Sequence, residues 1–185
     1  MNQQTQTAQL LASLARQESL LQQLITSLNK PKLGLHSDAG TCKIYCNRQH
    51  GSLWYTLSDG NPTPITAIAL TGYIKQLRFE KVERRGREVH KLLTTIEGDK
   101  LYILESGHDS HFSKGLLSAI AILTPHQLHQ PITISPQAGD DDNVLFCRVY
   151  VESELIKALY NDATDWRATA RKAIDNVKAF TEVKF

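Results

Sequence analysis

The sequence contains few cysteines and no long apolar run. Cys42, Cys46 and Cys147 are its three cysteines in 185 residues, and an odd, small number argues against a disulfide-stapled secreted domain and suits a reducing compartment. No segment approaches the roughly 18 apolar residues of a membrane span, and the first residues, "MNQQTQTAQ", lack the basic and apolar regions of a signal peptide. We therefore expect a soluble, cytoplasmic protein with no membrane partner.

The chain also lacks a large excess of either charge and the common signatures of catalysis. Its 21 basic and 19 acidic residues give a net charge of only +2, so a case for an anionic partner depends on where the charges lie. The sequence has no Walker A loop, no dinucleotide-binding fingerprint and no G-x-S-x-G nucleophile elbow. These absences predict a protein that is not an enzyme and uses no cofactor.

The N-terminal region has the leucine spacing of an amphipathic helix. Residues 8–29 are rich in leucine, alanine and glutamine, which favour helix, and the proline and glycine of "NKPKLG" end the pattern. The span covers only about three heptads, so packing on its own domain and pairing with another subunit are both open. In the second case five leucines would join a homo-oligomer: Leu10, Leu14, Leu21, Leu24 and Leu28.

The rest of the chain alternates in the manner of β-structure and then becomes helical. The stretches "TCKIYCN" and "LWYTL" flank the turn formers "RQHGS", which predicts a hairpin extension before the main domain. After Asp162 or Thr164 an apolar stripe at helical spacing predicts a C-terminal helix. The predicted regions are an N-terminal helix at residues 1–30, the hairpin extension at 35–62, the main domain at 65–152 and the helical tail at 153–185.

The order of elements in the main domain predicts a closed barrel. Three strands, a short helix capped by Ser110 or Ser113, and two further strands follow one another. The first strand is long, and its apolar phase changes after Gln76, close to Gly72, which indicates a bulge or sharp bend. This is the order of the OB-fold, a Greek-key barrel that binds oligonucleotides or oligosaccharides. The predicted fold class is mainly β, an OB-like five-stranded Greek-key barrel with N- and C-terminal helices; an SH3-like barrel and an open α+β sheet remain alternatives.

Positive charge gathers in "FEKVERRGREVHKL", residues 79–92, around a glycine that we expect in the left-handed conformation of a turn, Gly86. Single-stranded nucleic acid requires cations for its phosphates and aromatic rings for its bases, and arginine serves both. We expect Tyr102 to face outward. A solvated turn whose glutamates pair with the arginines is the alternative. The predicted nucleic-acid-binding residues are Trp54, Tyr73, Lys75, Arg78, Arg84, Arg85, Arg87, Lys91 and Tyr102.

Three stretches, "LTGYIKQLRFEKVERRGREVHKLLTTIEGDKLYILESG", "FSKGLLSAI" and "VLFCRVYVE", resemble the OB-fold single-stranded-DNA-binding proteins of bacteria and their phages. The similarity lies in the layout of a glycine early in the first strand, a basic hairpin and a tyrosine on the third strand, and it covers less than half the chain. It implies binding to single-stranded DNA. The ending "TEVKF" departs from the acidic tail of the bacterial proteins, which favours an accessory role in DNA replication or recombination.

Three clusters of polar side chains offer other chemistry. His36, Cys42, Cys46 and His50 are ligands of the zinc type, but four residues of extended strand separate two thiols by roughly 13 Å, so we expect free thiols and no metal. The loop "GHDSHFS" has the letters of a hydrolase triad, although neighbours in one loop rarely converge. The loop "GDDDN" carries carboxylates that a magnesium-dependent nuclease could use, or is a solvated tip.

These patterns together predict a non-enzymatic protein that binds single-stranded DNA, in preference to RNA, with little sequence preference. Self-association through the N-terminal helix would place several copies on one strand and raise avidity. The first alternative is a protein-interaction module that docks a partner on its amphipathic helices. The second is a small metal-dependent hydrolase or nuclease.

Overall fold

The structure of the protein, a computed structural model, describes residues 2–28, 40–84 and 86–182. The chain divides into two compact units, residues 1–39 and residues 40–185. The described part of the first unit is one helix, α1 (Asn2–Leu28), which begins earlier than the predicted span and ends one residue before its limit. None of the helices in the described residues is long and apolar enough to cross a membrane.

The described part of the second unit is one nine-stranded sheet with three helices. Its elements in chain order are β1 (Thr41–Tyr45), β2 (Tyr55–Ser58), β3 (Asn61–Pro64), β4 (Leu70–Arg84), β5 (Arg87–Glu97), β6 (Leu101–Gly107), α2 (His111–Ile122), α3 (Pro125–Leu128), β7 (Ile132–Ala138), β8 (Leu145–Val151), β9 (Glu154–Leu155) and α4 (Trp166–Glu182). The strands lie in the order β3-β2-β1-β6-β5-β4-β7-β8-β9. The prediction of a mainly β protein with flanking helices is confirmed.

The closed five-stranded barrel is wrong, because the sheet is open. β7, β4, β5 and β6 are antiparallel neighbours in that spatial order, which is the order of a Greek key. Closing a barrel would require β6 and β8 to pair with each other. Instead, the outer edge of β6 is covered by β1, which pairs with it in parallel from Thr41–Leu101 to Tyr45–Glu105. The outer edge of β8 is covered by β9.

The predicted bend in the first long strand is confirmed. β4 pairs with β7 from Leu70 to Gly72, and its register with β5 then shifts between Ile74 and Gln76. At Gly72 a Cβ atom would lie 2.5 Å from the carbonyl oxygen of Glu97 and 2.6 Å from Cγ2 of Ile96. Because no real side chain tolerates such contacts, only glycine lets β5 pass this close. The bend allows one strand to belong to both halves of the sheet.

A hydrophobic core fills the space between the sheet and the helices. α2 packs against β8, β6 and α4, and the apolar side chains predicted for its inner face are all buried: Leu116, Leu117, Ile120 and Leu123. Ser110 caps this helix by accepting a hydrogen bond from the backbone N–H of Ser113, as one of the two predicted alternatives required. The Asn176 side chain on α4 donates to the carbonyl oxygens of Ile120 and Ala121, both at 3.2 Å, which fixes α4 against the end of α2.

The two ends of the sheet are poorly suited to pairing with another chain. β3 carries Pro62 and Pro64, and proline has no N–H to offer a new strand. β9 at the other end is only two residues long. Short, proline-containing edges limit edge-to-edge association, so association between copies is expected to use another part of the molecule.

We expect Gly72→Ala to lower the free energy of unfolding by about 1–3 kcal/mol, the usual cost of inserting a methyl group into a packed site. The physical reason is the contact of its Cβ with the backbone of Glu97. The matched control is Gly107→Ala, whose Cβ would meet only Ser110 at 3.7 Å, and it should change stability by less than about 0.5 kcal/mol. Urea unfolding measures both, and equal losses would contradict the role given to Gly72.

Candidate nucleic-acid interface

The β4–β5 hairpin has two chemically different faces, because side chains alternate along a strand. Leu77 and Leu92 are buried on the side that faces the core. The opposite side, called here the hairpin face, carries residues of the alternate phase: Tyr73, Lys75, Arg78, Arg87 and Lys91. The structure therefore brings five of the predicted nucleic-acid-binding residues onto one surface. The hairpin turns at Gly86, whose φ of 71° confirms the expected left-handed conformation.

Carboxylates accompany at least two of the four cations named on this face. The Lys75 amine lies 2.6 Å from a carboxylate oxygen of Glu97, and the Arg78 guanidinium lies 3.3 Å from Glu80. Lys91 also has an interaction partner. Arg87 is exposed and forms no ion pair with any described residue. The sequence alternative of glutamates that pair with the basic hairpin is thus realised in part.

The tip of the hairpin lies partly outside the description. Arg84 pairs with Arg87 in the backbone register, and the Arg84 side chain and the whole of Arg85 lie outside the described residues. Their predicted roles stay predictions.

Two of the aromatic residues predicted to bind nucleic acid, Trp54 and Tyr102, pack in or against the core and are not on the hairpin face. The Trp54 ring is 1% exposed in the core, and its indole N–H donates to the carbonyl oxygen of Ala67 at 2.8 Å. Tyr102 pairs with Ile96 and packs against the core, so it lies on the inner face and not on the outer face as expected. Its hydroxyl donates to Asp99 at 2.6 Å. We drop both residues from the candidate interface, which leaves Tyr73, 42% exposed, as its aromatic ring.

The hairpin face continues across the sheet onto β6 and β1, which the sequence prediction did not include. Arg78 pairs with Leu93, Leu93 pairs with Glu105, and Glu105 lies beside β1. The Glu105 carboxylate is almost fully buried and accepts a bond from the amine of Lys43 at 2.7 Å. Burial acts to lower the pKa of Lys43, but the hydrogen bond and charge of Glu105 outweigh it and raise that pKa above its ordinary value of 10.5. Lys43 is therefore committed to the fold.

A cleft of about 510 Å³ opens on the other side of the hairpin, between β4, α2 and α4. Apolar side chains line it from all three elements, among them Phe79, Leu117, Trp166 and Ile174. The Phe79 ring is 40% exposed. The sequence signal was the tryptophan at the start of an amphipathic helix, but nothing in the sequence indicated that this helix lies against β4.

Basic side chains surround this cleft. Lys114 bonds Asp109 at 2.7 Å, and its amine lies 5.3 Å from the centroid of the Trp166 ring. The hydrogen bond from Lys114 lowers the pKa of the Asp109 carboxyl below its usual value. Three further cations line the cleft and are exposed on α4, and none of them forms an ion pair with a described residue: Arg167, Arg171 and Lys178.

The loop that resembles a hydrolase triad has a structural role. Ser110 caps α2, and its hydroxyl donates to the carbonyl oxygen of Gly107 at 2.8 Å. Ser113 is fully buried, and its hydroxyl donates to the same carbonyl oxygen at 2.6 Å. Asp109 is engaged with Lys114. These contacts give Ser110, Ser113 and Asp109 structural roles at the start of α2.

The other two polar clusters are also placed. Cys42, Cys46 and Cys147 are free thiols, and burial raises the pKa of Cys46. His36 lies outside the described residues, and in the part of the chain that is described no three histidine, cysteine, aspartate or glutamate side chains come close enough to hold a metal ion. The acidic loop is bound by Arg48, whose guanidinium donates to the carbonyl oxygen of Asp141 at 2.8 Å.

Comparison with known proteins found no matching family model, no matching curated protein and no matching solved structure. The site is therefore interpreted from its own geometry.

We expect Lys43→Met to destabilise the protein by about 1.5–3 kcal/mol, the usual contribution of a hydrogen bond to a charged group, because it removes one partner of the buried Glu105 carboxylate. Lys75→Met is the control: the partner of Lys75, Glu97, is half exposed, and such a pair contributes less than about 1 kcal/mol. Adding Glu105→Gln to Lys43→Met should recover part of the loss in urea unfolding.

The pH dependence has a defined sign. Because the pKa of Lys43 is raised on folding, its contribution is complete below about pH 10.5 and is lost as the pH rises through the folded value. The stability difference between wild type and Lys43→Met should therefore persist from neutral pH to about pH 9 and shrink only above that. A difference that disappears near pH 8 would contradict this assignment.

Proposed function

We propose that the protein binds single-stranded nucleic acid, DNA in preference to RNA, with little sequence preference and without catalysis. The observation that carries the proposal is the exposed ring of Tyr73 on the same face as Arg78, Arg87 and Lys91. Cations bind the phosphates of a strand and an exposed ring stacks on its bases. The Greek-key order of β7, β4, β5 and β6 favours the same proposal, as does the resemblance to OB-fold single-stranded-DNA-binding proteins in the early glycine and the basic hairpin. The third feature of that resemblance, Tyr102, lies on the inner face and adds no support.

The energetics of the ion pairs are compatible with binding. The pair between Arg78 and Glu80 is about half exposed on both sides, and exposed pairs contribute roughly 0–1 kcal/mol. A phosphate can displace such a partner, because hydrogen bonds to a charged group contribute about 1.5–3 kcal/mol. Arg87 needs no displacement, since it has no partner among the described residues. Lys43 is excluded from the interface by its buried partner.

Helix α1 supplies the proposed self-association. Leu10, Leu14, Leu21, Leu24 and Leu28 follow the alternating four- and three-residue spacing of a coiled coil, called here the 4-3 seam. Those with described side chains are 59% exposed at Leu14, 60% at Leu21 and 55% at Leu24. A second copy is the occupant that this face fits, because Arg16 and Glu18 are the only charges among residues 11–24 and give no net repulsion between copies. The side chains of Leu10 and Leu28 lie outside the described residues.

We expect Tyr73→Ala and Arg78→Ala to weaken binding to oligo(dT) in different ways. Loss of a base stack should cost about 1–3 kcal/mol at every salt concentration. Loss of a phosphate contact should also reduce the slope of log K against log salt by about 0.7. Fluorescence anisotropy across a salt series measures both effects.

Matched controls lie on β8. Phe146 is 39% exposed, close to the 42% of Tyr73, and Arg148 is an exposed cation. Phe146→Ala and Arg148→Ala should leave affinity and salt slope unchanged. If all four variants bind as the wild type does, the hairpin face is not the interface; if the wild type binds with no salt dependence, the protein-interaction alternative is favoured instead.

We expect the double variant Leu14→Asp and Leu21→Asp to convert an oligomer into a monomer, because it places charges in the seam of a coiled coil. The control pairs Leu11→Asp with Leu20→Asp, which are similarly exposed at 62% and 57% but lie outside the 4-3 seam. Sedimentation velocity measures the change. A wild-type protein that sediments as a monomer at all concentrations would refute the self-association.

A further inference from the structure

The cleft between β4 and α4 has the dimensions and chemistry of a small-ligand site. Its volume of about 510 Å³ falls within the roughly 300–1,000 Å³ of typical ligand pockets. Ligand sites of this kind combine an apolar lining with a few convergent polar groups, and here the apolar side chains come from three elements while the cations come mainly from α4.

Two aromatic rings line the cleft from different elements, Phe79 from β4 and Trp166 from α4. The Trp166 ring is held in place by its neighbours: the Tyr160 ring contacts it edge-on with centroids 5.2 Å apart, and the Lys114 amine lies 5.3 Å from its centroid. A ring that is fixed before binding loses little conformational entropy when a planar ligand stacks on it.

Two of the cations of the cleft are close enough to share one anionic group. Arg167 and Arg171 are four residues apart and therefore neighbours on one side of α4, and Lys178 lies on the same side about two turns further along. The arginine guanidinium matches phosphate with two parallel hydrogen bonds. None of the three is occupied by a carboxylate of the described residues, so an incoming phosphate displaces nothing. Asp175, which also lines the cleft, is an acceptor for the hydroxyl or amino groups of a ligand.

We propose that this cleft is a second binding site that accepts one nucleotide, with the base against Phe79 or Trp166 and the phosphate on Arg167 and Arg171. The nucleotide is either free or part of a strand bound on the hairpin face. A strand bound on the hairpin face passes close to the cleft. Arg78 and Phe79 are consecutive residues that point to opposite sides of β4, so the hairpin face and the cleft are separated by the thickness of one β-strand.

An acidic peptide is the other chemistry that a cationic cleft could attract. The nucleotide is favoured because the cleft joins two rings to two guanidiniums within a volume of ligand size. Peptide-docking surfaces instead require an extended groove for several anchors, and a carboxylate side chain would leave both rings without a planar partner.

Tryptophan fluorescence offers a direct test in the full-length protein. The sequence has two tryptophans, and Trp54 is fully buried, so a change caused by a ligand in the cleft reports on Trp166. We expect dTMP and dAMP to quench the emission saturably. Thymidine, which lacks the phosphate, should bind at least about tenfold more weakly, the factor that a charge-assisted hydrogen bond provides.

Neighbouring residues of α4 provide a matched pair of charge reversals. Arg171→Glu should weaken the binding of dTMP by about tenfold or more. Lys172→Glu makes the same charge change at an exposed residue that does not line the cleft, and it should have little effect. Equal effects of the two variants would mean that only the general charge of the helix matters, and would overturn the site.

Separate arms distinguish the possible ligands. Saturable quenching by dTMP establishes a free nucleotide, and quenching by oligo(dT) alone, abolished by Arg171→Glu, assigns the site to a bound strand. No quenching by either in the millimolar range, or quenching by a glutamate-rich peptide alone, overturns the proposal. Tyr73→Ala should weaken oligo(dT) but leave dTMP binding intact, so failure of the cleft and failure of the hairpin face give different results.

Discussion

The close approach of β4 and β5 at Gly72 is the constraint on which the rest of the structure depends. Because no Cβ fits there, the strand can bend and shift its register between Ile74 and Gln76. One strand then pairs with β7 before the bend and with β5 after it. This joins the two halves of the sheet around a common core and sends the hairpin beyond that core, where one face meets solvent and the other meets α4.

The charges of the second unit follow from the same geometry. Alternation along β4 and β5 places Lys75, Arg78, Arg87 and Lys91 on one surface, while Phe79 faces the cleft on the other. On the outer surface Lys75 and Arg78 have glutamate partners, whereas the cations of α4 beside the cleft have none among the described residues. Part of the positive charge that has no ion-pair partner among the described residues therefore lies on α4, outside the basic segment at residues 79–92.

The sequence could predict what local chemistry determines. The glycines at 72 and 86, the cap at Ser110 and the buried face of α2 each have a local signature, and all were found. The prediction of a closed barrel was wrong because β1 covers the outer edge of β6, and these two strands lie about 60 residues apart in the sequence, beyond the reach of local patterns. Tyr102 does point to the opposite side of β6 from Leu101 and Ile103, as predicted. Those two residues face outward, however, so Tyr102 lies on the inner face. Alternation fixes which residues share a face, and only tertiary contacts decide which face is buried.

The parallel pairing of β1 with β6 has a consequence for the order in which the protein forms. Thr41 pairs with Leu101, so during synthesis the earlier strand must wait for about 60 further residues to be added. At the usual rate of about 5–20 residues per second this delay is roughly 3–12 s. Non-local pairings of this kind form slowly in any case. A nascent chain would therefore hold the β6-facing edge of β1 unpaired for seconds, during which a ribosome-associated chaperone has time to bind it.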